Sequence, residues 1–321
     1  VLKNLNMEIV GLFDLKNENV LEAIAINNLN SDINFKKTSD LYSISKPDAV
    51  VISTTAPSHC DYVCQAARLG TKLILCEKPM AISINQAQKM IEACEKYGSK
   101  LAVNHQMRFK DHYRFVKKLS SSPEFGGIIS VLVSGATCGI SMNGIHYFDF
   151  LNHITENKIE HVCAWFDNQQ TPNPRGKEFK DRGGNVRAVT ASGVVMYLDF
   201  SVKAGHGLQL ILICKHGQII VDELNGFVRT IARNSSSRNL PTTQYATASD
   251  QNTFEIAPTD PIKSTESVWE ALINGGDFPS GQTGLNALRS LVASYTSNEH
   301  QNKPIFVKSF EINPEIEYPW A

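Results

Sequence analysis

The first third of this chain alternates short apolar segments with helical ones, and this alternation restricts the folds available to it. Four segments read as strands with little polar alternation, at residues 7–13, 49–53, 72–76 and 101–104. Helical patterns separate them, at residues 18–27, 59–69 and 83–98. Apolar strands joined by helices are typical of a parallel sheet that is covered on both faces. The pattern predicts a doubly wound α/β domain of the kind that binds dinucleotides.

The pattern changes after residue 120, where serine, proline and glycine residues mark turns. The later strands alternate apolar and polar residues, at 128–134, 162–166, 186–190, 194–200, 208–214, 218–221 and 226–232. Helices are predicted at residues 144–154, 264–274 and 285–296, and a loop at 234–252. We therefore expect a doubly wound parallel-sheet (Rossmann) domain over residues 1–121. An α/β domain with a large open, mostly antiparallel sheet is expected over residues 122–321.

Composition excludes several classes of function. The 321 residues are 42% hydrophobic and 20% charged, which is typical of folded domains, and the net charge of -1 provides no field for nucleic acid or anionic membranes. No apolar run approaches the roughly 20 residues that span a bilayer. The seven cysteines form no Cys-x-x-Cys pair, which favours a reduced cytoplasm. No histidine motif predicts a metal site.

Asp14 follows the apolar segment at residues 7–13. An acidic residue at the end of a dinucleotide-fold strand accepts hydrogen bonds from the adenosine ribose and repels a 2′-phosphate. The position predicts NAD, although Lys16 could soften this preference and admit NADP. The glycine-rich phosphate turn expected before this strand is absent from the sequence. Either the sequence is truncated at its N-terminus, which we favour because the sheet would otherwise lack a central strand, or the turn has been lost.

Lys78 stands in Glu77-Lys78-Pro79, directly after a buried apolar strand. A lysine at the carboxyl end of a strand faces the ligand cleft, where burial and a cofactor tune its pKa. The proline would fix a tight turn, with a cis bond as one option. The alternative is a solvated surface lysine.

Several motifs together resemble the Gfo/Idh/MocA oxidoreductase family. Ser53 to His59 resembles its threonine- and proline-containing loop, and Glu-Lys-Pro follows in order. Met107-Arg108-Phe109, Gly144-Ile145-His146-x-x-Asp149 and Gly281-x-x-Gly284 resemble later motifs. The resemblance implies an NAD-dependent dehydrogenase acting on a hydroxyl carbon of a sugar, sugar nucleotide or related polyol. It implies cofactor contacts from Asp14, Ser53, Thr54, Thr55, Pro57, His59, Glu77, Lys78 and Pro79.

The resemblance also assigns catalytic roles to Lys78, which would polarise the substrate hydroxyl, and to His146, which would transfer its proton. Imidazole titrates near neutral pH, which suits that task. Many relatives carry an aspartate four residues before this histidine, whereas this chain has Met142. Asn143 is adjacent and cannot act as a base, so proton transfer would rest on Lys78 and His146. Asp149 lies one helical turn from His146 and could orient its ring.

Further candidate substrate contacts are Gln106, Arg108, Asn143, Asp149 and His206, and Arg175 lies in a loop with other cations. The open sheet predicts self-association as a homodimer or homotetramer. Two other functions remain open: a redox-neutral glycosidase or isomerase that retains NAD, and a non-catalytic sugar-binding or regulatory protein.

Overall fold

The computed structural model describes residues 1, 4–136, 138–201, 203–243, 248–258 and 260–321. Parts of the predicted loop at 234–252 therefore lie outside the described residues. The helices are α1 (Asn17–Asn27), α2 (Thr38–Ser45), α3 (His59–Arg68), α4 (Ile84–Tyr97), α5 (Asp111–Ser120), α6 (Ile145–Thr155), α7 (Pro261–Asn274) and α8 (Gly281–Glu299). None of the described helices is long and apolar enough to cross a membrane.

A parallel sheet in the order β1-β2-β3 forms the first layer, from β1 (Ala49–Ile52), β2 (Leu73–Cys76) and β3 (Lys100–Val103). Capping residues in the sequence define the helix between β2 and β3. The Ser83 hydroxyl accepts from the backbone N–H of Gln86 and begins α4, and Gly98 ends it with a positive φ of 72°. The predicted doubly wound layer is confirmed.

The predicted strand at residues 7–13 is wrong in extent. Among the described residues its only ladder partner is Asn34, which forms one parallel bridge with Leu12. Leu12 donates to the Ile33 carbonyl at 2.7 Å and accepts from Phe35 at 3.0 Å. A strand needs a continuous row of partners, and a single bridge leaves the segment extended without making it part of the sheet.

Nine described strands form the second sheet, in the order β11-β10-β9-β8-β4-β7-β6-β5-β12. Their bounds are β4 Ile128–Ala136, β5 Ile159–Gln170, β6 Arg182–Thr190, β7 Val195–Ser201, β8 Gln209–Cys214, β9 Gly217–Asp222, β10 Phe227–Arg233, β11 Ser249–Glu255 and β12 Ile305–Phe306. All neighbours are antiparallel except β4 and β7. The large open sheet is confirmed. The loop predicted at 234–252 is wrong at its end, because residues from 249 onward pair with β10.

One apolar core contains residues of both sheets, α8 packs against both of them, and α7 packs against the first. Trp269 of α7 packs with Leu75 and Ala102 of the first sheet. The start of α8 bridges to it as well, since Ala102 pairs with Ser280. Residues near the end of the chain thus cover the first sheet, and a domain division at residue 121 stays a prediction.

Candidate active site

Three loops meet at the carboxyl ends of β1, β2 and β3. Residues 53–58 follow β1, Glu77-Lys78-Pro79 follows β2, and Asn104-His105 follows β3. In open parallel sheets this edge is where ligands bind. Ser53 and Pro57 are exposed, while Thr54, Thr55 and Glu77 are half-buried, so these loops offer surface to a ligand.

His59 ties the first two loops together. Its Nδ1 lies 3.0 Å from the Pro79 carbonyl and its Nε2 lies 3.0 Å from the Thr54 carbonyl. The ring is fully buried, and burial lowers its pKa. The Lys78–Pro79 bond is cis. His59 therefore supports a cofactor loop from beneath, and a direct contact with cofactor stays a prediction.

The Lys78 side chain extends from the loop after β2 to the turn before α6. Its Nζ donates to the backbone carbonyl of Met142 at 2.6 Å. Burial lowers the pKa of Lys78, and the Arg175 cation lowers it further against the opposing charges of Glu77 and Asp181. An ammonium has three donors, so two remain for a ligand.

His146 begins the helix α6, four residues after Met142. It is half-buried, and its Nδ1 is buried without a hydrogen-bond partner among the described residues. Burial lowers the pKa of His146 well below its usual value, and the cations of Lys78 and Lys110 and the neighbouring His105 imidazole lower it further. The ring is therefore neutral near pH 7 and able to accept a proton. Lys78 thus bonds to the turn that directly precedes the helix of His146, and its charge acts on that imidazole.

Asp181 holds that turn, and the sequence reasoning missed it. One carboxylate oxygen accepts from the backbone N–H groups of Ser141 and Arg182, at 2.9 and 2.8 Å. The other accepts from Met142 N–H at 2.9 Å. Burial raises the pKa of Asp181 while these bonds oppose the rise. Its charge also favours the Lys78 ammonium. An acidic group thus supports Lys78 although position 142 is methionine.

Gly139→Ala tests this support, because an added Cβ would lie 1.9 Å from a carboxylate oxygen of Asp181. The carboxylate would have to move and release the turn at residues 140–144. We expect a loss of about 1–3 kcal/mol in the free energy of unfolding, measured with urea. Gly205→Ala is the matched control, since nothing lies within 4 Å of its added Cβ. Equal midpoints for the two variants would contradict the packing described.

Arg108 and Asp149 form a buried ion pair with each other. Arg108 Nη2 lies 2.5 Å and Nε 3.2 Å from the carboxylate oxygens of Asp149, and the side chains are 7% and 1% exposed. Asp149 is thus paired with Arg108 instead of with His146. Gln106 is also engaged, since its Oε1 accepts from the Thr265 hydroxyl of α7 at 2.7 Å. Substrate contact by Gln106, Arg108 and Asp149 stays a prediction. The contacts described here give these three side chains structural roles.

Other predicted residues lie outside the convergence of Lys78 and His146. Asn143 is exposed on the turn before α6. His206 is exposed, with Nδ1 2.7 Å from the Gly207 carbonyl and Nε2 3.4 Å from Ser134 Oγ. Asp14 is exposed, and its Oδ1 accepts from its neighbour Lys16 at 2.7 Å. Asp14 lies beside α3. Burial raises the pKa of Tyr62 on that helix, and the charges of Asp61 and Asp14 raise it further.

The sequence reasoning also missed a network of charged side chains around Glu223. The Glu223 carboxylate lies 3.1 Å from Lys110 Nζ and 3.0 Å from His112 Nε2. Burial would raise the pKa of Glu223, but these partners hold it at about 2. A cleft of about 410 Å³ adjoins this network, with walls that include Phe109, Lys110, Phe115, Phe254 and Lys263. No group of metal-ligating side chains occurs in the part of the chain that the structure describes.

Part of the chain matches a known family of proteins. Residues 2–105 match the model of the oxidoreductase family with an NAD-binding Rossmann fold, GFO_IDH_MocA. A segment of 106 residues is 35% identical to a D-apiose dehydrogenase of Paraburkholderia graminis, covering 32% of this chain and 27% of that protein. Another of 89 residues is 32% identical to a 2,7-anhydro-N-acetylneuraminate hydratase of Mediterraneibacter gnavus, covering 28% and 24%. The chain thus spans about a quarter of these curated relatives.

Likeness in structure extends over nearly the whole chain. The repressor Gal80p of Saccharomyces cerevisiae, solved as a super-repressor mutant, superposes with a TM-score of 0.75 at 14% identity. The match covers 95% of this chain and 92% of that one. At this identity the likeness shows the shared fold.

Proposed function

We propose that this chain, which belongs to the Gfo/Idh/MocA oxidoreductase family, transfers a hydride between NAD(P) and a hydroxyl carbon of a sugar, sugar nucleotide or related polyol. One observation carries the proposal: the Lys78 ammonium donates to the Met142 carbonyl just before α6, and its charge acts on the His146 imidazole of that helix. Their convergence lies at the carboxyl edge of the parallel sheet, where a nicotinamide cofactor binds in this kind of fold.

The residues present fit a dinucleotide. The half-buried Thr54, Thr55 and Glu77 lie at that edge, and the exposed Asp14 carboxylate lies beside α3. Asp14 would accept from the adenosine ribose and disfavour a 2′-phosphate, so NAD is preferred to NADP. When bound, the cofactor would supply the hydride acceptor.

Each catalytic residue has a task that its environment supports. Lys78 would donate to the substrate hydroxyl oxygen and stabilise the negative charge that develops there. His146, neutral because burial lowers its pKa, would take the hydroxyl proton.

A cofactor titration followed by a turnover assay tests the function. We expect NAD to raise the midpoint of thermal unfolding more than NADP does, because a ligand at 100 times its Kd adds about 2.7 kcal/mol. Reduced cofactor should then accumulate with D-apiose, D-xylose, myo-inositol or glucose 6-phosphate as probes. Absence of any shift with either cofactor would contradict the proposal.

The same assay separates two other functions. The relative named as a hydratase favours a redox-neutral reaction, in which the sugar is consumed while the absorbance of reduced cofactor stays constant. The Gal80p-like fold favours a regulatory protein, which would bind a sugar or cofactor without turnover.

We further propose that the open face of the nine-stranded sheet joins two copies of the chain. One row of side chains crosses it in register: Arg187, Tyr197, Leu132, Ile211, Ile220 and Arg229. Tyr197 is 49% and Leu132 39% exposed on this face, while the neighbouring Leu198 and Val133 are buried beneath it. An exposed apolar row of this kind marks an interaction surface.

Tyr197→Glu tests the interface. We expect light scattering to give at least twice 35.5 kDa for the unaltered chain and a smaller mass for Tyr197→Glu, because a carboxylate would replace an apolar ring on the joined face. Tyr97→Glu is the matched control, since Tyr97 is 38% exposed at the end of α4. A monomeric mass for the unaltered chain would overturn the proposed assembly.

A further inference from the structure

His105 is a buried imidazole that the mechanism above does not use. It follows β3, where its backbone N–H donates to the Val103 carbonyl at 2.6 Å. The residue has no exposed surface, and neither ring nitrogen has a hydrogen-bond partner among the described side chains and backbone. An unpartnered buried polar group costs about 1–3 kcal/mol, so an apolar residue would be more stable here. A functional role would explain why a histidine occupies this buried position.

The nearest ring to His105 belongs to His146. Their centroids lie 5.9 Å apart and the ring planes meet at 89°. The Nδ1 of His146 is also buried and unpartnered, although the residue as a whole keeps exposed surface. Three unpartnered ring nitrogens thus belong to two neighbouring imidazoles, at the proposed centre of proton transfer.

The charged groups around the pair leave His105 as the acceptor for His146 Nδ1–H. Lys78 and Lys110 carry only donors. Asp149 is engaged by Arg108, and Glu77 accepts from Asn104 at 2.6 Å and from Lys78 N–H at 3.3 Å. At a centroid separation of 5.9 Å no rotation brings two ring nitrogens within direct hydrogen-bond distance, whereas one bridging water would connect His146 Nδ1–H to a nitrogen of His105.

We propose that His105 is a positioning residue that accepts, through one bridging water, the hydrogen bond of His146 Nδ1–H and thereby keeps Nε2 of His146 free to take the substrate proton. This inference rests on the proposed function. In a neutral imidazole one nitrogen donates and the other accepts, so the bond made by Nδ1 decides what Nε2 can do. A ring with the opposite tautomer would present N–H to the substrate and could not act as its base.

The proton balance of the step follows from this pairing. The O–H bond of the substrate breaks and its proton binds Nε2 of His146, while the C–H bond releases a hydride to the oxidised cofactor. The alcohol is oxidised, the cofactor is reduced, and His146 becomes an imidazolium. His105 stabilises that imidazolium by accepting from Nδ1–H through the bridging water.

The surroundings of His105 keep its imidazole neutral, so that one ring nitrogen can accept a hydrogen bond. Burial lowers its pKa, and the cations of Arg108 and Lys78 lower it further, while Asp149 and Glu77 oppose them. His146, which faces it from α6, is cationic only after it takes the substrate proton. A neutral His105 has one unprotonated nitrogen near pH 7, as the proposal requires.

Nitrogen-15 NMR of the imidazoles tests the proposal without substrate or cofactor. We expect His146 to be protonated at Nδ1 in the unaltered chain and to change tautomer in His105→Leu. His105→Gln, whose amide oxygen still accepts, should retain Nδ1–H. His153→Leu is the matched control, because this half-buried histidine lies farther along α6. A His146 protonated at Nε2 in the unaltered chain would overturn the assignment, whichever variants fold.

Kinetics supply the second readout, with whichever sugar probe is turned over. We expect kcat to fall by about 10- to 100-fold in His105→Leu, with KM within about twofold and partial recovery in His105→Gln. An unchanged kcat in His105→Leu contradicts the proposal. Failure of the proposed function is distinguishable, because it would appear as no turnover in the unaltered chain and leave the NMR result standing.

Discussion

Lys78→Met is expected to lower kcat by about 10²–10³-fold while NAD affinity and stability remain near those of the unaltered chain. The methionine side chain is similar in length and cannot donate to the substrate oxygen, so the charge that develops there loses its stabilising partner. The effect belongs in kcat more than in KM, because this interaction strengthens as the reaction proceeds. Steady-state turnover and a cofactor titration of the same preparation measure the two quantities.

Lys72→Met is the matched control for that variant. Lys72 is exposed just before β2, at the opposite end of the strand that positions Lys78. Its removal should leave turnover unchanged. Unchanged turnover in Lys78→Met as well would remove this lysine from the mechanism.

Lowered pKa values also set the pH range of activity. Lys78 must be protonated to donate, and burial lowers its pKa from its usual value. Turnover should therefore fall as the pH rises through that lowered pKa, earlier than for an exposed lysine. Because the pKa of His146 is lowered, its imidazole stays neutral at acidic pH values at which an ordinary histidine would be protonated.

Arg108→Leu is expected to destabilise the protein by about 3–5 kcal/mol, because it leaves the Asp149 carboxylate buried without its partner. The Asp149 side chain is 1% exposed, so water cannot replace the guanidinium. The double variant Arg108→Leu/Asp149→Leu should recover much of the loss, since apolar residues of similar volume replace a buried ion pair with little cost. Urea denaturation midpoints measure both effects.

An exposed ion pair provides the control for this experiment. Lys263 and Asp111 lie 3.1 Å apart with side chains 70% and 76% exposed, so Lys263→Met should cost at most about 1 kcal/mol. If Arg108→Leu instead left stability unchanged and raised KM, Arg108 would be a substrate contact, as the sequence motif suggested.

Hydrophobic patterning predicted most of the fold because buried strands carry a strong local signal. β2 and β3 are almost wholly buried, and their sequences contain little but apolar residues. The strand β11 escaped prediction because Ser249–Glu255 is mostly polar and lies exposed at the sheet edge, where only its pairing with β10 defines it. Residues 7–13 failed in the opposite way, since an apolar run does not reveal whether partners exist on either side.

Sequence offers candidate site residues where a reactive side chain directly follows a strand, as at Lys78, or occupies a family motif, as at His146. Asp181 carried no such signal, because it is a lone acidic residue far along the chain from the Met142 turn that it holds. His105 was overlooked for a related reason: only burial without partners, a property of three dimensions, distinguishes it from an ordinary histidine. Arg108 and Asp149 were noticed, but sequence could not show that they face each other.

The convergence of Lys78 and His146 on one hydroxyl group is measured most directly by a double-mutant cycle. Residues that act on the same reacting atom lose little further rate when both are removed. We expect Lys78→Met/His146→Ala to turn over no slower than the slower single variant. Losses that multiply in the double variant would mean that the ammonium and the imidazole act independently, and the shared site would have to be given up.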